Sequence, residues 1–208
     1  MVYADGGRYE GKWKDGRRDG YGTMVYANGD RYDGEWQHGE RHGDGTLVYF
    51  KSGTEHDGQW QHGFASGPCV VTYGGGERYE GGWRDGAPDG RGTMTYGDGR
   101  EYAGEWAFGV IAGHGTMYYP DGDRYDGQWE RGERHGRGTM AYAATGDTYD
   151  GEWESGERHG TGVMRYAGGG AFDGTWQRGR QQPNAFAVVR APSGEVYTGH
   201  WENGRMVG

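Results

Sequence analysis

Hydrophobic and polar positions alternate along the chain in short runs that recur at a fixed interval. In the run YDGQWERGERHGRG, from Tyr125 to Gly138, an aromatic, a glycine and a tryptophan occupy positions i, i+2 and i+4. A strand has a side-chain period of two, so it places all three on one face. The same YxGxW core, intact or degraded, begins at Tyr9, Tyr32, His56, Tyr79, Tyr102, Tyr125, Tyr149, Phe172 and Tyr197, with spacings of 23 or 24 residues and a final one of 25. Self-similarity at that period marks a repeat array, and it precedes the reading of any single residue.

Within the first repeat Tyr9, Gly11 and Trp13 share one face, and Arg8, Glu10 and Lys12 point the other way. A short connection from Gly16 to Gly20 leads to a second alternating run, Gly22, Met24 and Tyr26, so each repeat reads as a β-hairpin. The link to the next repeat carries Asn-Gly at Ala27 to Asp30 and Asp-Gly at Pro120 to Asp123, both signals for tight turns with positive φ. Hairpins joined in this way form one antiparallel meander. Glycines beside bulky rings leave space for an aromatic to lie across the bare backbone of a neighbouring strand, so the Gly and Trp positions form one design. The residues MVYADGGRY at 1–9 align without a gap on MVYANGDRY at 24–32. The array is therefore expected to start and stop inside a repeat, as a single array over residues 1–208 that continues elsewhere or pairs with another copy.

Composition sharpens this picture. Aromatics make up 15% of residues out of a hydrophobic total of 32%, so rings rather than aliphatic side chains supply the core. The 48 glycines are periodic and prolines number only five, which separates an ordered array from a flexible linker. One cysteine excludes an intrachain disulfide framework and fits a reducing, cytoplasmic setting. No apolar run approaches membrane-spanning length. A formal charge of −9 argues against nucleic acid as a partner.

Candidate chemistry is sparse. Acidic residues follow the first aromatic in most repeats, as at Glu10, Asp33, Asp57, Glu80, Asp126, Asp150 and Asp173. A catalytic carboxylate pair needs one unique pocket, which a repeated position does not supply. The GxG triplets lack the following helix and the GK[ST] of a phosphate loop. No enzyme is expected. Equivalent histidines in adjacent hairpins lie roughly 9.6 Å apart at the backbone, whereas zinc needs its ligands about 2.1 Å from one point. A metal is thus expected only where side chains such as His62, Cys69, His135 and His159 converge, across a hairpin or a dimer interface. Arg8, Arg31, Arg78 and Arg124 occupy one repeated position and form a candidate lipid-headgroup stripe, which acidic residues two positions on largely neutralise. The loops RRD and ERH are charged in the repeats at Tyr9, Tyr32, Tyr125 and Tyr149, whereas Phe64, Ala65, Pro88, Val110 and Ile111 make the three central loops apolar.

This pattern resembles the MORN-repeat family, the membrane occupation and recognition nexus repeats, with a unit of approximately YEGxWxxGxxxGxGxxxYxxG. Residues 9–29, YEGKWKDGRRDGYGTMVYANG, match every fixed position. The resemblance covers essentially the whole chain. It implies an all-β fold: an elongated, twisted, single-layer antiparallel meander of about eight to nine stacked hairpins with an aromatic-lined groove. It also implies a non-enzymatic structural scaffold that binds itself and protein partners at a membrane-associated cytoskeleton, most like the all-repeat protist members. The alternative is a phosphoinositide-binding regulatory segment of a larger protein. Two repeats depart from the pattern. One has His56 and Cys69; the other, at Phe172, has Pro183, Asn184 and Ala185, with Val189 where a tyrosine would stand. An antiparallel homodimer is expected to cover the apolar residues Phe64, Val110 and Ile111 and the run holding Phe186, Val188 and Val189.

Overall fold

The computed structural model of the chain describes residues 1–182, 185–202 and 205–206, without the side chains of 185, 186, 201, 202, 205 and 206. Among the described residues all regular structure is β, with no helix. The chain divides into two compact units, Met1–Gly99 with Glu105–Val110, and Arg100–Gly104 with Ile111–Gly208. The first holds β1 (Arg8–Lys14), β2 (Arg17–Val25), β3 (Arg31–Gln37), β4 (Glu40–Tyr49), β5 (Thr54–Gln61), β6 (Phe64–Thr72), β7 (Arg78–Arg84) and β8 (Ala87–Thr95). β9 (Glu101–Ala107) is divided between the units. The second continues with β10 (Val110–Tyr118), β11 (Arg124–Glu130), β12 (Glu133–Ala141), β13 (Thr148–Glu154), β14 (Glu157–Arg165), β15 (Ala171–Gln177), β16 (Arg180–Gln181), β17 (Ala185–Arg190), β18 (Val196–Glu202) and β19 (Arg205–Met206). Within each unit consecutive strands pair antiparallel, the meander that the repeats predict.

The hairpin turns are shorter than the expected Gly16–Gly20 connection. Asp15 and Gly16 alone make the first turn, at φ 50° and 72°, the two positive values of a type I′ link that matches strand twist. The chain is back in a strand by Arg17, and the surplus residues Asp19 to Tyr21 form a bulge opposite Lys12, between the pairs Gly11–Gly22 and Trp13–Arg18. The Asn-Gly link is longer than a two-residue turn. Strand β2 ends at Val25 and β3 starts at Arg31, and the intervening loop is closed by Tyr26 N–H to Asp30 O and Gly29 N–H to Tyr26 O.

Register explains the repeat. The pairs Gly11–Gly22, Gly22–Gly34 and Gly34–Gly45 run as a bare row across the strands of the first unit, and Gly115, Gly127, Gly138, Gly151 and Gly162 do the same in the second. Onto each row lie the first tyrosines of the repeats. Tyr9, Tyr32, Tyr125 and Tyr149 are fully buried, and each hydroxyl donates to the carbonyl three residues on, at 2.9–3.1 Å. A Cβ on Gly11 would stand 2.6 Å from the Tyr9 hydroxyl oxygen, and one on Gly127 2.6 Å from that of Tyr125. The glycine is therefore the seat of the ring, and ring burial offsets the conformational entropy that glycine costs in a strand.

Both irregular repeats keep this rule by changing two residues together. Cys69 replaces the second glycine and pairs with Gly58, and the ring that would collide with its Cβ is the shorter imidazole of His56. In the repeat at Phe172 the ring lacks a hydroxyl, and the extrapolated register sets the buried Ala187 opposite Gly174. That register also corrects the sequence alignment: Val189 pairs with Phe172 and so stands at the position of Met24, opposite the ring. The loop after β15 is two residues longer than its counterparts, which moves Ala191 to the tyrosine position with the same turn hydrogen bonds, Ala191 N–H to Glu195 O and Gly194 N–H to Ala191 O. Pro183 and Asn184 lie outside the described residues.

The paired departures yield a test. His56→Tyr is expected to cost about 1–3 kcal/mol by overpacking against Cys69, and Cys69→Gly in the same chain is expected to recover most of it. Urea denaturation of the two single variants and the double variant measures this, and a His56→Tyr loss of equal size in both backgrounds would contradict it.

Candidate functional site

Above the glycine row the rings form a continuous ladder within each unit. Tyr9 meets Trp13 and Trp36 edge-on at centroid distances of 5.2 and 5.5 Å, and Tyr32 meets Trp36 and Trp60 at 5.1 and 5.3 Å. Tyr125 and Tyr149 do the same with Trp129, Trp153 and Trp176. Six tryptophans also donate their indole N–H to a glycine carbonyl of the preceding hairpin: Trp36, Trp60, Trp106, Trp129, Trp153 and Trp176, as in Trp36 to Gly22 at 3.0 Å, Trp60 to Gly45 at 2.7 Å and Trp153 to Gly138 at 3.0 Å. Trp13 is the first ring of its ladder and is partly exposed.

The charged loops are part of this ladder rather than solvated links. The guanidinium carbons of Arg18, Arg41, Arg134 and Arg158 lie over Trp36, Trp60, Trp153 and Trp176, 4.0–4.6 Å from the ring centroids. Each arginine also donates to the carbonyl of the next turn glycine, Gly39, Gly63, Gly156 or Gly179. Ala65, Pro88 and Ile111 occupy the equivalent position in the three central hairpins, so no arginine at that position stacks on the next tryptophan or bonds the next turn.

Each unit carries an equivalent cleft on the aromatic face. In the first it is lined by Tyr26, Tyr49, Asp5, Asn28, Asp30, Arg41 and Leu47, and in the second by Tyr119, Tyr142, Asp121, Asp123, Arg134, Arg158, Met140 and Trp153. Tyrosines of adjacent repeats flank an apolar floor, with carboxylates on the loop side and guanidiniums on the other. Burial raises the pKa of Tyr26, Tyr119 and Tyr142, so these phenols stay neutral. One Asp oxygen in each cleft ties neighbouring loops together: Phe50 N–H donates to Asp30 at 2.9 Å and Ala143 N–H to Asp123 at 2.8 Å.

On the opposite face the arginine stripe is compensated. Arg31 pairs with Asp33 at 2.8 Å and Arg78 with Glu80 at 2.7 Å, and Arg124 pairs with Asp126. Arg8 is exposed at the start of β1. The apolar turns divide differently from expectation. Phe64 is 72% exposed and Val110 44%, but Ile111 is 7% exposed because it fills the core position that arginine takes elsewhere. Strand β17 pairs with β15 on one side and β18 on the other, so its backbone edges are used, and Val188 and Val189 are half-buried. The Phe186 side chain lies outside the described residues.

Sequence reasoning missed Phe108. It sits at φ 49° and 72% exposed, on a turn position held elsewhere by Asp15, His38, His62, Asp85, Arg131, Ser155 and Arg178. Aligning the turns would have revealed it as the one apolar residue in that column.

The metal candidates are not gathered. His62 is an exposed turn residue, with Nδ1 3.6 Å from Glu40 and its ring 6.3 Å from that of His42. Cys69 is buried in the glycine row. His135 and His159 each lie against a glutamate of their own hairpin, Glu130 at 3.5 Å and Glu154 at 3.0 Å. Among the described residues no group of three His, Cys, Asp or Glu side chains is placed to hold a metal ion.

Stacked hairpins with a glycine row, a seated tyrosine and a bridging tryptophan define a class of β-repeat proteins. The MORN repeat model matches residues 9–31, 32–54, 56–78, 79–99, 102–124, 125–144, 149–171 and 197–208. The chain belongs to the MORN-repeat family. No curated protein matches it. Among solved structures it is similar to the Sas-4 (dCPAP) TCP domain of Drosophila melanogaster in complex with a proline-rich motif of Ana2 (dSTIL), with 12% identity, 97% of this chain and 94% of that one covered, and a TM-score of 0.45. The TCP10c domain of Drosophila melanogaster Sas-4 shows 12% identity, coverages of 77% and 93%, and a TM-score of 0.46. At that level neither likeness bears on function.

Among the described residues the buried imidazole is that of His56. It is 4% exposed, its ring meets Trp83 and Trp60 at 4.9 and 5.4 Å, and its Nε2 has no hydrogen-bond partner. Burial pushes its pKa down to about 4 and that of the adjacent-row Cys69 thiol up to about 12, so both are neutral in the fold. The unfolded chain takes up a proton on His56 below about pH 6.5, whereas the native chain does so only near pH 4. Stability from this group is therefore complete above pH 6.5 and declines as pH falls toward 4, by about 1.4 kcal/mol per unit and about 3 kcal/mol in all. Urea midpoints at pH 7.5 and 4.5 are expected to fall less in His56→Phe than in the wild type, and parallel declines would contradict this.

Proposed function

We propose that this chain is a non-catalytic scaffold that associates with a second copy of itself and organises protein partners at a cytoskeletal or cortical structure. MORN repeats are typically non-catalytic and suggest a repeat-based binding or scaffold role, and the geometry is consistent with it. The inner face spends its polar groups on holding hairpins together: tyrosine hydroxyls, indole N–H groups and guanidiniums go to backbone carbonyls. The titratable groups are repeated rather than convergent.

The observation that carries self-association is Phe108. A bulky residue at positive φ is sterically unfavourable, and the ring is 72% exposed, with the Arg84 guanidinium 5.7 Å from its centroid and little burial to compensate. Strain held at an exposed turn points to a role outside the fold's own stability. In the same unit Phe64 and Val110 are also exposed at hairpin ends, Val110 beside a turn where Pro88 replaces the bridging arginine and Phe64 beside Gly63, which Arg41 holds. These apolar turns support an interface between copies. Phosphoinositide binding is the alternative, and the pairing of Arg31, Arg78 and Arg124 with carboxylates gives it little free positive charge.

Size-exclusion chromatography with light scattering at tens of micromolar is expected to give twice the chain mass for the wild type and the chain mass for Phe64→Ser/Phe108→Ser, with unchanged melting temperature. A monomeric wild type would overturn self-association. Sedimentation with phosphoinositide vesicles, absent with neutral vesicles, would favour the lipid alternative.

A further inference from the structure

The two clefts described above share a feature that the scaffold reading leaves unused. The chain has two rows of tyrosines, and they differ in what their hydroxyls do. In the buried row, Tyr9, Tyr32, Tyr125 and Tyr149 donate to backbone carbonyls. In the outer row, Tyr26 and Tyr49 of the first unit and Tyr119 and Tyr142 of the second line the clefts with no hydrogen bond to their hydroxyls among the described residues.

Charge shows a parallel asymmetry. On the opposite face Asp33, Glu80 and Asp126 are paired with arginine. Those on the cleft rims, Asp30 and Asp123, accept only amide and backbone N–H bonds and enter no ion pair. The guanidiniums of the far wall, Arg41 in the first cleft and Arg134 and Arg158 in the second, are already stacked on tryptophan and bonded to a carbonyl. Each cleft therefore offers two aromatic walls, phenol donors without a hydrogen-bond partner and a rim of carboxylates that enter no ion pair among the described residues, with the guanidiniums held at the far wall.

We infer that the clefts bind a left-handed polyproline-II segment carrying lysine or arginine at every third residue. This rests on the chain organising protein partners, as proposed above, and seats one of them on the aromatic face. Polyproline II leaves its carbonyls free for tyrosine donors and docks in aromatic-lined grooves. A basic side chain fits the tyrosine and carboxylate rim through charge and cation–π attraction. Spacing selects the conformation. Adjacent hairpins are two strands apart, about 9.6 Å, and three residues of polyproline II rise about 9.3 Å and return to the same face. An extended β-strand of three residues rises about 10 Å but ends on the opposite face, so it cannot present the same group to successive repeats.

Fluorescence anisotropy with the full chain and labelled (Pro-Pro-Arg)4 tests this against (Pro-Pro-Glu)4 and a spacing control, (Pro-Pro-Pro-Arg)3. Binding of the first is expected to be at least tenfold tighter than of the acidic peptide, and tighter than of the spacing control. Asp30→Asn/Asp123→Asn keeps the acceptor for the loop N–H of Phe50 and Ala143 and is expected to weaken it roughly fivefold to tenfold. Tyr49→Ala/Tyr142→Ala is expected to abolish it, with the melting temperature monitored in each case. Equal binding of basic and acidic peptides, or basic binding indifferent to these substitutions, would overturn the inference. If an acidic peptide binds instead and is lost in the tyrosine variant, the groove remains a partner surface and only the cationic assignment fails. If no peptide depends on the tyrosines, the groove reading fails with it.

Discussion

The interaction on which the structure depends is the seating of a tyrosine ring on two glycines of paired strands. A sheet exposed on both faces has no second layer to cover it, so the apolar surface must be buried within the sheet's own thickness. Removing the side chains of Gly11 and Gly22 opens the space, and Tyr9 fills it with its hydroxyl bonded to Lys12 O. Tryptophan then couples neighbours: its ring packs edge-on between two tyrosines while its N–H reaches the preceding hairpin. Cooperativity between repeats comes from this bridging, because a single hairpin has no other core.

Arginine adds a further bridge, and its absence is as informative as its presence. Where Arg41 stacks on Trp60 and holds Gly63 O, the turn is fixed, although Phe64 beside it stays exposed. Where Pro88 replaces the arginine, the next turn exposes Phe108 and Val110. The same chain thus contains hairpins whose groups are turned inward to stability and hairpins whose apolar groups face outward.

Much of this was legible in the sequence, and the reasons are local. The YxGxW alternation has a period of two, so strand, face and repeat followed directly, and the carboxylate that follows Arg31 two positions on announced its own pairing. What escaped depended on register. Arg18 and Arg41 read as loop charges because the two-residue turn was hidden by the wider Gly16–Gly20 spacing. Ile111 read as surface because its position is defined by the arginines it replaces. Val189 was misplaced because two extra residues follow β15. The linked changes at His56 and Cys69, and at Phe172 and Ala187, were visible as departures, but only cross-strand pairing shows that each is a matched pair.

The central claim is tested most directly by a double-mutant cycle at Tyr125 and Gly138, a regular repeat. Gly138→Ala places a Cβ against the Tyr125 hydroxyl and ring. The Phe172 repeat, with Ala187 opposite, indicates that a ring without the hydroxyl tolerates that Cβ. Urea denaturation is expected to show Gly138→Ala costing at least about 1 kcal/mol less in the Tyr125→Phe background than in the wild type. Additive losses would contradict the account, because they would mean that ring and glycine contribute independently.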